Sequence, residues 1–66
     1  MSTELIEEIK NEEDGLAALI MEGNQKYNYR VVLRDTDAEE TLKVIFCHNY
    51  IDVEKYAKEF LFGEVI

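Results

Sequence analysis

Residues 26–62, KYNYRVVLRDTDAEETLKVIFCHNYIDVEKYAKEFLF, decide the fold. Over residues 26–34 Tyr27, Tyr29, Val31 and Leu33 alternate with Asn28, Arg30, Val32 and Arg34, the period of two of a strand with one buried face. Residues 41–48 read as its partner, with Leu42, Val44 and Phe46 toward the core and Lys43, Ile45 and Cys47 opposite. Residues 35–40 between them are polar and lack Gly, so a connection longer than a tight two-residue turn is expected. After His48 the period lengthens. Val53, Tyr56, Ala57, Phe60 and Leu61 fall at i, i+3, i+4, i+7 and i+8, a helical stripe wide enough to cover a small sheet. Asn49 or Asp52 is its candidate N-cap, and Gly63 is placed to end it in a left-handed conformation. On its outer side Glu54 with Lys58 and Lys55 with Glu59 stand at helical contact spacing. Glu64, Val65 and Ile66 follow as a short, largely apolar tail.

Toward the N-terminus, residues 16–21 form an apolar run, LAALIM, whose periodicity does not choose between strand and buried helix. The following Glu22-Gly23-Asn24-Gln25 reads as a turn, so a hairpin into residues 26–34 favours the strand. The rival is a first helix continued through Gly15, at a cost of about 1 kcal/mol for the glycine. Residues 1–14, MSTELIEEIKNEED, carry Ser2 or Thr3 as a candidate N-cap, Glu4 in the first turn, and an apolar stripe of Leu5, Ile6 and Ile9. A helix of two to three turns, stopping near Asn11, is expected there. The predicted fold is α+β: a helix, a three-stranded antiparallel meander and a C-terminal amphipathic helix (αβββα), with both helices on one face of the sheet. The other face is expected to show Arg30, Val32, Arg34, Lys43, Ile45 and Cys47.

Sixty-six residues make one domain, 1–66, with a small core. Hydrophobic residues are 47% of the chain and charged residues 33%, a globular composition. Fifteen acids against seven Lys and Arg give a net charge of −8, which argues against direct binding of nucleic acid or anionic lipid and for a basic protein partner. The single cysteine forms no internal disulfide, and neither a signal peptide nor a membrane span is read, so the expected location is the cytoplasm.

The residues for catalysis are few. The only serine is Ser2, and Cys47 and His48 are strand neighbours whose side chains point to opposite faces, so neither a serine triad nor a cysteine–histidine pair is expected. Asp35, Asp37 and Glu39 alternate like the start of a calcium loop, yet Glu40 and Phe46 stand where that loop needs Gly and a bidentate Glu. One His and one Cys do not make a structural zinc site. Tyr27 and Tyr29 alternate with Arg30 and Arg34 instead of sharing their face, so a base-stacking sheet is not expected either. The reading is a non-enzyme without metal or cofactor.

What remains is the placement of the acids. Glu4, Glu7 and Glu8 cluster on the first predicted helix, and Asp35, Asp37, Glu39 and Glu40 cluster in the loop between strands. Spaced carboxylates on a rigid domain can occupy a groove shaped for phosphates. Charges on exposed faces also serve solubility alone.

The run Leu5-Ile6-Glu7-Glu8-Ile9-Lys10-Asn11, followed by a hairpin and an amphipathic helix ending at Phe62 and Gly63, resembles the small acidic anti-CRISPR proteins of phages. It is most similar to those inhibitors of type II-A CRISPR nucleases that mimic DNA at the PAM-reading surface. The resemblance implies a non-catalytic inhibitor, phage or mobile-element encoded, whose acidic side chains on strands and loops engage a basic nucleic-acid site of a host defence or DNA-processing protein. By position Asp35, Asp37, Glu39 and Glu40 are the matching residues. The chain is shorter than that family and lacks its third helix. A different reading of the same sequence is a small structural or regulatory domain that forms a homodimer through an exposed sheet face containing Val32, Ile45 and Cys47.

Overall fold

The computed structural model describes residues 5–63. It has four strands and one helix: β1 (Leu5–Asn11), β2 (Leu16–Glu22), β3 (Tyr29–Asp35), β4 (Glu40–Cys47) and α1 (Tyr50–Phe62). The strands form one antiparallel meander in the order β1-β2-β3-β4, and α1 lies across one face. The architecture is therefore ββββα, and the expected αβββα arrangement is corrected at its N-terminal end. The Ser2 or Thr3 cap, Glu4 and the tail at residues 64–66 lie outside the described residues.

Leu5–Asn11 is a strand because the chain turns back sharply at Asp14-Gly15. Gly15 has φ +67°, in the left-handed region that glycine takes without steric cost, and its N–H bonds the Glu12 carbonyl at 3.3 Å. This returns β2 alongside β1, with Ile9 opposite Ala18 and Asn11 opposite Leu16. A seven-residue helix has too few turns to repay its nucleation, whereas pairing with β2 gives the same residues interstrand hydrogen bonds. The helix-like stripe of Leu5, Ile6 and Ile9 instead spans a register shift between Leu5 and Glu7. Asn11 donates from Nδ2 to the Leu61 carbonyl at 2.6 Å, fastening the end of β1 to the last turn of α1.

Residues 16–21 are a strand, as expected. In β3 Val31 and Leu33 are buried under the helix, also as expected, while Arg30, Val32 and Arg34 face away. In β4 the expected faces are reversed. Register places Tyr29 opposite Cys47 and Val31 opposite Ile45, so Cys47 is buried, Ile45 packs against the core, and Val44 and Phe46 face outward. Each set of alternating residues in β4 is largely apolar, Lys43 being the exception, so the pattern by itself orients the strand weakly. The Asp35–Glu40 pairing and a register shift at Leu33/Arg34 fix its facing. Tyr27 also departs from expectation. It lies in the β2–β3 connection, where its ring packs on Phe46 at 5.7 Å and His48 at 4.6 Å, whereas Tyr29 meets Tyr50 edge-on at 5.5 Å on the helix side.

Helix α1 begins at Asn49, whose Oδ1 accepts the Asp52 N–H at 3.0 Å. It ends at Gly63, φ 66°, whose N–H bonds the Glu59 carbonyl at 3.0 Å. Val53, Ala57 and Leu61, one turn apart, are its buried residues, and they pack on Ala18, Ile20, Val31, Leu33 and Cys47. Among the described residues the ion pair formed is Lys10 with Glu8 at 4.0 Å, and the two expected helix pairs are not made.

Among the described residues three of the nine buried apolar ones are alanines, so the larger ones carry most of the stability. Ile20, fully buried, sits at the centre of this core. Its replacement by alanine is expected to cost about 2–5 kcal/mol. A domain of this size has a stability on the order of 3–5 kcal/mol, so Ile20→Ala should be substantially unfolded at 25 °C by circular dichroism, whereas Ile51→Ala, at an 80% exposed position, should unfold with wild-type cooperativity.

Candidate functional site

An antiparallel meander puts its first and third turns at the same end of the sheet, and here the two are joined. The Thr36 N–H donates to the Gly15 carbonyl at 2.8 Å, and the Asp37 carboxylate lies against the Cα of Gly15, so closely that a side chain at position 15 would collide with it. The β1–β2 turn brings Glu12, Glu13 and Asp14, and the β3–β4 loop brings Asp35, Asp37, Glu39 and Glu40. Carboxylates twenty or more residues apart thus share one end of the molecule. Composition pointed to acidity; the convergence of these turns follows from the β1 strand, which the helical reading of residues 1–14 concealed.

The seven sequence-predicted site residues fall into different places. Asp35 is half-buried, and its Oδ1 accepts the N–H groups of Asp37 at 3.0 Å and Ala38 at 3.1 Å, so it shapes the loop. Asp37 is exposed, with its carboxylate beside Gly15. Glu39 takes φ 53°, and its carbonyl accepts the Arg34 Nη2 donor at 3.1 Å, leaving its carboxylate exposed. Glu40 opens β4 and is exposed. Glu8 lies on the sheet face away from α1, where it lines a shallow depression of about 200 Å³ with Ala17, Leu19, Arg34, Thr36 and Glu39, and so adjoins the acidic end. Glu7 does not. It points to the helix side and accepts a hydrogen bond from the Tyr50 hydroxyl. Glu4 lies outside the described residues. Glu12, Glu13 and Asp14 were not among the predicted partner-binding residues; the Asp-Gly turn signal at residues 14–15 was the clue that would have added them.

Cys47 is buried on the helix side, where burial and then the Asp52 carboxylate push its thiol above the ordinary value. His48 is exposed and packed on Tyr27. Among the described residues no three His, Cys, Asp or Glu side chains converge to hold a metal ion, and no helix is long and apolar enough to cross a membrane. The homodimer face expected from Val32, Ile45 and Cys47 is not one surface, since Ile45 and Cys47 belong to the core side. A groove of about 660 Å³ runs between α1 and β4, walled by Leu33, Ile45, Tyr56 and Phe60, with Lys43 and Glu59 beside it. No protein-family model, curated protein or solved structure matches this chain.

Two predictions follow from the geometry. Gly15→Ala meets both the left-handed backbone, at about 1–2 kcal/mol, and the Asp37 carboxylate, whereas Gly63→Ala meets only the former because its surroundings are open. Urea unfolding should therefore show the larger loss for Gly15→Ala, and Asp37→Ala in the same chain should recover part of it. The Tyr50 phenol, held neutral chiefly by its hydrogen bond to Glu7, is pushed up to about 12. That raised value means the Tyr50–Glu7 contribution to stability is complete below pH of about 10 and is lost as pH rises through about 12. Ultraviolet titration should show Tyr50 ionising above the ordinary tyrosine range, and Glu7→Gln should bring it down.

Proposed function

We propose that this protein is a non-catalytic inhibitor or interaction protein whose acidic end occupies a basic, nucleic-acid-binding site on another protein. In this reading it is encoded by a phage or mobile element, acts in the bacterial cytoplasm and blocks a host defence or DNA-processing protein, as the anti-CRISPR inhibitors it resembles do. The observation that carries the reading is the junction of two acidic turns through the Thr36–Gly15 hydrogen bond. That bond holds carboxylates from two separate hairpins in one patch before any partner arrives, so binding orders little additional backbone. Net charge adds long-range attraction toward a basic groove.

The structure selects which carboxylates are fit for a test. Asp35 shapes the loop and Asp37 packs on Gly15, so their reversal would disturb the fold as well as the charge. Glu12, Glu13, Glu39 and Glu40 are exposed and carry charge with little scaffold duty. Competition between this protein and a labelled DNA duplex should be measured by fluorescence anisotropy against purified type II-A CRISPR nucleases and a panel of bacterial DNA-processing enzymes. The expected result is displacement of the duplex from at least one of them. Its affinity should fall by at least about tenfold between about 50 and 200 mM salt. Replacing Glu12, Glu13, Glu39 and Glu40 by lysine should abolish displacement while leaving the circular dichroism spectrum unchanged. Salt-insensitive binding, or full displacement by the lysine variant, would sink the electrostatic reading.

A further inference from the structure

The sheet face away from α1 is apolar at its centre and basic in its charge. Leu19, Val32 and Val44 form one cross-strand row, and Met21, Arg30 and Phe46 form the next, with Leu5 beside Met21 on β1. Leu5, Val44 and Phe46 are 49%, 43% and 42% exposed. Around them, among the described residues, stand Lys10, Arg30 and Arg34, with Glu8 on β1 and Glu39 at the depression beside Arg34. Lys26 reaches the rim, with its Nζ 5.8 Å from the Tyr27 ring that packs on Phe46. In a chain of net charge −8, this face carries more basic groups than acidic ones, and among the described residues Arg30 at its centre is not ion-paired.

Arg30 gives the charge a direction. Its side chain lies over the sheet with Nη2 donating to the Met21 sulfur at 3.4 Å, while its buried Nε has no hydrogen-bond partner. A guanidinium has five N–H donors and a thioether is a weak acceptor, so the half-exposed Arg30 has one weak partner for its terminal nitrogens within the chain. A carboxylate is the group that pairs best with the terminal nitrogens of a guanidinium.

We infer that this face docks an acidic amphipathic helix of a partner protein. The helix sets its apolar stripe on Leu19, Met21, Val32, Val44 and Phe46 and a carboxylate on Arg30. Four strands at about 4.8 Å spacing and seven residues at about 3.3 Å make a face roughly 19 by 23 Å, which a helix of about 15 residues crosses. Helix α1 already covers the opposite face in this way, and a second helix would complete a three-layer arrangement. A second copy of the chain fits less well, because it sets the same positive face against itself and adds another −8 charge. Anionic lipid is repelled by the acidic turns, and the protruding groups are mainly aliphatic, unlike the exposed rings on which unpaired bases stack. This surface adjoins the acidic end at the corner shared by Arg34 and Glu39, but Arg30, Val44 and Phe46 at its centre are not among the residues replaced to test inhibition, so the two readings fail separately.

The test uses the full chain, isotope-labelled, titrated by NMR with a synthetic 16-residue helical peptide carrying Leu at i, i+3, i+4 and i+7 flanked by Glu. A twin peptide has every Glu replaced by Lys. The expected result is that the Glu peptide shifts the signals of Val32, Val44 and Phe46 and leaves Val53 and Ala57 in place. Arg30→Ala should weaken it by about tenfold or more, and Arg30→Glu should reverse the preference in favour of the Lys peptide. Val44→Asp, at an exposed position, should remove binding with the fold intact. The inference is overturned by equal binding of the two peptides, by no binding of the Glu peptide, or by shifts confined to other surfaces. Tighter binding of a single-stranded oligonucleotide or of phosphatidylglycerol vesicles to this face would overturn it too, as would a concentration-dependent dimer that buries it.

Discussion

The packing of Val53, Ala57 and Leu61 onto Ala18, Ile20, Val31 and Leu33 is the contact on which the rest of the structure depends. These residues come from the helix and the two central strands, and they are the part of the chain most thoroughly removed from water. Each large side chain buried there contributes about 1.5–3 kcal/mol, against a conformational entropy cost that a short chain only narrowly offsets. The alanines matter by their size, because Ala18 and Ala57 let helix and sheet approach closely. The edge strands are then held by pairing and by a few specific bonds, such as that from Asn11 to the Leu61 carbonyl.

One helix on a four-stranded sheet leaves the chain with two unlike surfaces. At the turn end, the meander gathers acids that the sequence scatters over two loops, and the Thr36–Gly15 bond fixes them together. On the uncovered face, the strands that bury Val31 and Leu33 on one side must show Arg30, Val32 and Arg34 on the other. Acidic end and basic face therefore arise from the same topology. Lys10, Arg30 and Arg34 stand on the bare sheet face, while Lys43, Lys55 and Lys58 lie on the side of the helix, so the two surfaces differ in charge.

Glu7 and Asp35 show why charge alone is a poor guide to a site. Both look like free surface acids in the sequence. In the fold, Glu7 receives the Tyr50 hydroxyl and Asp35 receives two backbone N–H groups, so each has a structural partner. Glu39 and Glu40 keep their carboxylates in solvent. Only the three-dimensional arrangement distinguishes acids with a structural partner from acids whose carboxylates stay in solvent.

The sequence by itself determined β3, the helix and its Gly63 cap, because in each of these one signal dominates. For residues 16–21 it favoured a strand only through the turn that follows, and it left the N-cap between Asn49 and Asp52. A hairpin turn follows the LAALIM run, Val31 and Leu33 alternate with charged neighbours, and Asn49 and Gly63 bracket a stripe of period 3.6. It also placed Arg30, Val32 and Arg34 on the outer face. What only the tertiary structure decided was the nature of residues 5–11 and the facing of β4. Leu5, Ile6 and Ile9 satisfy a helical stripe as readily as a strand with a register shift, and an available edge of β2 chose the strand. Leu42, Val44 and Phe46 compete with Lys43, Ile45 and Cys47, each set holding at least two apolar residues, and the pairing from Asp35 to Glu40 set which of them met the core. Local pattern suffices where one face is apolar and the other is not; where both are, long-range pairing makes the choice.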